Sequence, residues 1–206
     1  MSRSEAFPAR LRKEPGHERS RATVDAILDA AAKLLLEGGH EKATTNKIAE
    51  VAGVSIGSLY QYFASKDAIV AELYARHADR MSATIAAQLG EVIDQPLEVI
   101  ARRLVTTMIE AHALEPELHR VLMEGAARTG QSRLREIENN LWRMARGFLE
   151  LRRAEIRPEN LDVAAFVLVQ SVEALTHGAV LHRPELLRDP ALVEEILELV
   201  LRYLRR

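Results

Sequence analysis

The sequence predicts an all-α protein. Three observations lead there. Apolar residues recur at helical spacing through most of the chain, no stretch alternates apolar and polar residues with period two, and prolines stand between the helical runs. The 206 residues, 48% hydrophobic and 28% charged, suit one mid-sized domain or a small domain fused to a larger one, with a real core. A chain disordered throughout is excluded.

Residues 1–19 hold Pro8, Pro15, Gly16 and scattered basic residues with no apolar period. They read as a basic, flexible arm, either simply solvated or touching an anionic partner. The first helix carries Val24, Ile27, Leu28, Ala31 and Leu35 on one face, with Ser20 as its cap and Gly38-Gly39 as its end. A short helix over about 45–52 follows, with hydroxyls at Thr44 and Thr45 for its N-cap and Gly53 to stop it. Ser55 then caps a second short helix over about 56–62, and Ser65 caps a long one over about 66–89. Further helices are expected over about 96–114, 116–129, 131–153, 161–182 and 190–204.

The chain contains no cysteine, which excludes disulfides, cysteine metal ligands and a thiol nucleophile. No uninterrupted apolar run approaches the ~18 residues that span a bilayer, and the N-terminus has no signal-peptide pattern. The expectation is a cytoplasmic protein without a membrane partner. The net charge of −2 is unevenly spread: residues 1–66 carry +2 and the remainder −4, and all five lysines lie at or before Lys66. That asymmetry favours an anionic partner at the N-terminal end.

Two short helices joined by a tight turn form a helix-turn-helix pattern. Ala49 is small where the helices approach, and Gly53 stands where the turn calls for a positive φ. Ile48, Val54 and Leu59 are spaced to pack the pair onto the first helix. Ser55, Gly57, Ser58, Tyr60, Gln61 and Tyr62 occupy the other side. Such small or hydrogen-bonding residues suit phosphate oxygens and base edges. Tyr60 also has a packing reading, although its hydroxyl asks for a polar partner.

The stretch TTNKIAEVAGVSIGSLYQYFASKDAIVAEL, residues 44–73, closely resembles the DNA-binding domain of the TetR (tetracycline-repressor-like) family of transcriptional regulators, and the preceding AILDAAAKLLLEGGHEKAT resembles that family's first helix. The specific resemblance covers about residues 21–75. It implies an N-terminal helix-turn-helix DNA-binding domain over 20–66 and a helical ligand-sensing and dimerisation domain over 67–206. It also implies roles by position. Thr45 would contact phosphate. Ser55, Ile56, Gly57 and Ser58 would open the recognition helix in the major groove. Tyr60 and Gln61 would make the main base or phosphate contacts, and Tyr62 and Lys66 would contact the backbone. Gln61 departs from a histidine frequent in the family, and Ile56 from a polar residue. The implied partners are a double-stranded, palindromic operator, a second copy of the chain and a small-molecule effector, with repression the expected output.

Competing motifs are few. Gly53-Val54-Ser55-Ile56-Gly57 matches G-x-S-x-G, but a nucleophile elbow needs a strand before the serine, and here a helix precedes it. Neither an enzyme nor a cofactor is expected. The seven histidines read as surface or core residues rather than a metal site. Residues 161–182 are apolar nearly all round, and a helix of that kind must be buried on two sides. Together with residues 190–204 it suits a dimer interface, with Ala174 and Gly178 permitting close approach. Candidate effector-pocket residues are Met108, His112, Met123 and Trp142, together with Met144, Phe148, Phe166 and Gln170, each of which also fits a packed core. The alternative to a DNA-binding regulator is a helical small-molecule-binding or protein-interaction module that does not bind DNA.

Overall fold

The structure, a computed structural model, describes residues 18–126 and 132–205. Apart from Glu18 and Arg19, the expected N-terminal arm lies outside them. The described helices are α1 (Glu18–Lys42), α2 (Thr45–Val51), α3 (Ile56–Tyr62), α4 (Lys66–Val92), α5 (Leu97–Leu114), α6 (Pro116–Ala126), α7 (Ser132–Leu151), α8 (Leu161–His182) and α9 (Pro190–Leu204). A 3₁₀ turn, Pro184–Arg188, precedes α9. Among the described residues no strand forms; an isolated bridge pairs Ile156 with Arg205.

The helices pack into two compact units, the described residues of 1–77 and 117–135 in one and those of 78–116 and 136–206 in the other. In the first unit, α1 buries the stripe that its periodicity predicts: Val24, Ile27, Leu28, Ala31 and Leu35. It starts at Glu18, two residues before Ser20, so Ser20 lies inside the helix and the Glu18 carboxylate sits in the first turn, where the helix dipole favours it. Gly39, with φ 68° and ψ −173°, breaks the helical path where the glycine pair was expected to end it.

The next two helices are capped as their hydroxyls suggest. Thr44, rather than Thr45, caps α2: its Oγ1 accepts a bond from Lys47 N at 3.3 Å. Ser55 Oγ accepts from Ser58 N at 3.1 Å at the start of α3. Between them Gly53 adopts φ 67°, and the turn closes as Val54 N donates to Ala49 O at 3.0 Å. Ile48 and Ala49 from α2, Leu59 of α3 and Phe63 just after it, Ile69 from α4 and Leu122 from α6 complete one core with α1.

In the second unit, α5 presents Leu97, Ala101, Val105 and Ile109 at four-residue intervals, a helical stripe packed with Ala164 and Ala165 of α8 and Ile196, Val200 and Leu204 of α9. Asn160 and Asp189 cap α8 and α9 through side-chain oxygens. The long helix α4 runs to Val92, three residues past the expected end, because Gly90 does not interrupt it. The 3₁₀ turn is an element that the sequence reading had left between helices.

Core histidines occur in both units. In the first, buried His77 and His119 share a hydrogen bond of 2.9 Å between Nε2 and Nδ1. In the second, buried His112 donates Nδ1–H to the Met108 carbonyl at 2.7 Å, and its ring lies 5.1 Å from that of His177. Burial and the neighbouring His112 push His177 down to a pKa of about 4.

One expectation needs amending. Although no unbroken apolar run reaches bilayer length, α8, with 22 residues and a mean hydropathy of 1.5, is long and apolar enough by composition to cross a membrane. In the structure Asn160 caps it and one side, with Leu161, Ala164, Ala165, Ala179 and Val180, packs into the core of its unit, while Val163, Phe166 and Leu175 stay exposed.

Three substitutions test this packing. Replacing Gly53 with Ala forces a Cβ into left-handed backbone and should cost about 1 kcal/mol or more in urea unfolding. Gly57→Ala, inside α3 with only Ser55 Oγ near the new Cβ at 3.9 Å, should leave stability unchanged or raise it, because alanine is the better helix former. Because His177 is neutral in the fold over a range where the unfolded chain binds a proton, its contribution is complete above pH 6.5 and is lost as the pH falls towards 4. The loss is on the order of 2–3 kcal/mol, and a His177→Gln variant should show a shallower fall of Tm between pH 7 and pH 4.5.

Candidate functional site

The polar surface of the helix-turn-helix is built from its caps outward. Ser55 is held by its capping role, and its Oγ also lies 2.9 Å from Ser58 Oγ. The serine of the G-x-S-x-G motif is therefore a helix cap that follows helix α2 and a turn. Ile56 (39% exposed), Gly57, Tyr60 (43% exposed) and Gln61 line the outer side of α3, whereas Ser58 and Tyr62 are half-buried. Leu59 and Phe63, on the opposite side, are fully enclosed in the core. The alternation follows from helical periodicity: residues three and four apart share a face.

A hydrogen bond links the two short helices across this surface. Tyr60 Oη and Thr45 Oγ1 are 3.2 Å apart, so the phenol has a protein partner as well as solvent and holds the hydroxyl of Thr45 at the start of α2. Lys47, also exposed, pairs with Glu50 at 2.9 Å. At the N-terminus of α4, Lys66 Nζ donates to the carbonyl of His40 at 2.7 Å, and His40 Nε2 stands 3.4 Å from Asp67 Oδ1. Lys66 of α4 thus holds the broken end of α1 through a backbone carbonyl. Further along, Arg76 joins Asp25 of α1 at 2.5 Å and Glu72 at 3.2 Å. Burial alone would lower the Arg76 pKa, but the two hydrogen-bonded carboxylates outweigh it and hold it above the ordinary guanidinium value.

The second unit contains an apolar cavity of about 140 Å³. Of the eight expected pocket residues, Met108, Met144 and Phe148 line it. Trp142, Phe166 and Gln170 instead line a second recess of about 250 Å³ together with Asn139 and Val169, which also lines the first; both are half-open, and the Trp142 indole N–H is bound to the Asp162 carbonyl at 3.2 Å. His112 is buried beside His177, bonded to the helix backbone and not part of the cavity wall. Met123 belongs to the first unit. The sequence reading missed Ile85 and Leu89 of α4 and Leu97, Ala101 and Val105 of α5, all of which line the cavity. Nothing in their apolar spacing separates a cavity wall from a core.

The grip of α4 on α1 has a measurable consequence. Lys66→Met removes a charged donor from a half-buried carbonyl and should lower the unfolding free energy by about 1 kcal/mol in urea titration without DNA. Lys33→Met, whose exposed partner Glu37 lies at 4.0 Å, should change it by no more than a few tenths.

Comparison with known proteins accords with this geometry. The profile described as "Bacterial regulatory proteins, tetR family" matches residues 27–73, and "Tetracyclin repressor-like, C-terminal domain" matches residues 96–204, just over half of the chain. An uncharacterised HTH-type transcriptional regulator of Mycobacterium tuberculosis is 31% identical over 90 residues, 44% of this chain and 44% of that protein. The HTH-type transcriptional repressor KstR of Mycolicibacterium smegmatis is 36% identical over 70 residues, 34% of each. The chain thus spans less than half the length of these curated relatives. Across the fold, the fatty acid degradation regulator FadR from Bacillus halodurans superposes with a TM-score of 0.69 at 22% identity, covering 88% of this chain and 99% of that one. The helix-turn-helix with its glycine turn and capped α3, and the helical unit matched along residues 96–204, make the conclusion plain: the chain belongs to the TetR family of bacterial transcriptional regulators.

Proposed function

We propose that the protein is an effector-responsive repressor that binds a palindromic operator as a homodimer in the cytoplasm. The observation that carries the reading is the outer face of α3. Gly57, Tyr60 and Gln61 are exposed, and the Thr45–Tyr60 bond ties that face to the start of α2. In this reading residues 20–66 form the DNA-binding part and 67–206 the sensing and dimerising part. Ser55, Ile56, Gly57 and Ser58 enter the major groove with the N-terminal end of α3, where Gly57 permits close approach and Ile56 meets a thymine methyl or the backbone. Tyr60 and Gln61 reach bases or phosphates. Thr45 and Tyr62 flank them on the phosphate side. The ammonium of Lys66 gives one of its three donors to His40 and has two more for a phosphate.

The homodimer is supported by α8. Val163 (53% exposed) and Phe166 (59% exposed), with Gln170 and Ala174, run along one side of the helix at intervals of three or four residues. An exposed face on which Val163, Phe166 and Ala174 flank Gln170 suits an interface, and Gly178 has open space where a Cβ would stand. Two copies related by a two-fold axis would place their recognition helices in successive major grooves, about 34–36 Å apart. The effector reading is supported by the cavity, whose walls include Ile85 and Leu89 of α4. A ligand that contacts α4 differently in two positions of that helix shifts the balance between them, and α4 begins at the helix-turn-helix.

The test is fluorescence anisotropy of the purified protein with the duplex upstream of its own gene, against a scrambled duplex, over a salt series. The expected result is preference for the first, with log affinity falling by about 0.9 per phosphate contact for each unit of log salt. Tyr60→Ala and Gln61→Ala should each weaken binding about tenfold or more while sedimentation still reports a dimer. A genome-wide binding selection that enriches no site would instead support a helical module without DNA binding. Loss of the dimer in the Tyr60 or Gln61 variants would refute their assignment to DNA.

A further inference from the structure

The cavity of the second unit has walls of a single chemical kind. Ile85 and Leu89 of α4, Ala101 and Met108 of α5, and Met144 and Phe148 of α7 contribute to them, and the residues added from α8 and α9 are all aliphatic. Among the described residues no charged or hydrogen-bonding side chain lines it. The backbone in the middle of the surrounding helices is committed to intrahelical bonds, so a bound molecule finds few donors or acceptors in the wall. A carboxylate or ammonium placed there would lose its hydration without replacement, a cost no contact in the cavity offsets. A hydrocarbon gains both the removal of its surface from water and close dispersion contacts. Its free space of about 140 Å³ is close in size to an enclosed apolar cavity of roughly 150 Å³ that accepts benzene in another protein, but here the pocket is half-open. Met108 and Met144, flexible and polarizable, allow the wall to fit rings and short chains alike.

We propose that this cavity takes a small neutral hydrocarbon, a single aromatic ring or a short aliphatic chain, and rejects its ionised analogues. The significance of such a ligand as an effector rests on the proposed repressor function; the chemistry of the cavity does not. Because Ile85 and Leu89 form part of the wall, the ligand touches α4 directly.

The test uses the whole chain with methyl-labelled methionine, of which there are five, and two probes that share a ring and differ by an ionised carboxylate: benzene and benzoate. Benzene should shift the Met108 and Met144 methyl resonances saturably, and benzoate should bind at least tenfold more weakly. Ala101→Phe and, independently, Ala145→Leu fill the cavity and should reduce benzene affinity at least tenfold, while thermal unfolding verifies that each variant is folded. Absence of a saturable shift at Met108 and Met144 in the wild-type protein, or equal affinity for benzoate, would overturn the proposal. In a second arm the operator complex is titrated with benzene. Binding in the cavity without release of DNA would uphold the ligand chemistry and refute the effector role, whereas failure of the protein to bind any operator would leave the methionine readout intact.

Discussion

The left-handed turn at Gly53 is the constraint on which the rest of the first unit depends. With φ at 67°, the chain reverses between α2 and α3 in a few residues and Val54 N closes on Ala49 O. That geometry sends Leu59 and Phe63 into the core shared with Ile48 and Ala49. Because the period of an α-helix is 3.6 residues, burying those side chains turns Gly57, Tyr60 and Gln61 outward. Core packing and surface presentation are two results of one backbone turn, so disturbing the buried side of α3 would displace the polar one.

Electrostatics play a supporting part. Net charge on the front third is small, and Lys47 already has an acidic partner in Glu50. What the surface offers is a set of fixed hydroxyls and amides rather than a strong basic field. Such groups order a protein along the phosphate backbone and read base edges at short range. Lys66 serves the fold through the His40 carbonyl, and the Arg76 pair with Asp25 ties α4 to α1 a second time.

The second unit follows another logic. Its helices carry more apolar surface than one core consumes. Part closes on itself along α5, α8 and α9, part lines the cavity, and part stays exposed at Val163, Phe166 and Leu175. A packed interior, a ligand site and an interface draw on the same residue types. Burial also explains the titration of His177: removal from water and the adjacent His112 both disfavour its charged form.

Periodicity, caps and glycines in the sequence determined the all-α class, the limits of α3, α8 and α9, the turn at Gly53 and the exposure of Gly57, Tyr60 and Gln61, but not the half-burial of Ser58 and Tyr62. These are local properties: a hydroxyl three residues before an amide, or a glycine where only positive φ closes the turn, acts through neighbours in the chain. Where the contribution is non-local, sequence reading fell short. Tyr60 meets Thr45 fifteen residues away, and Lys66 meets a carbonyl twenty-six residues back. Met108, Met144 and Phe148 line the cavity while Trp142, Phe166 and Gln170 line a different recess. Which of several apolar helix faces encloses a cavity depends on how helices distant in sequence cross one another. Only the tertiary structure decided that, because an apolar side chain carries the same spacing signal whether it meets another side chain, a ligand or a second protein.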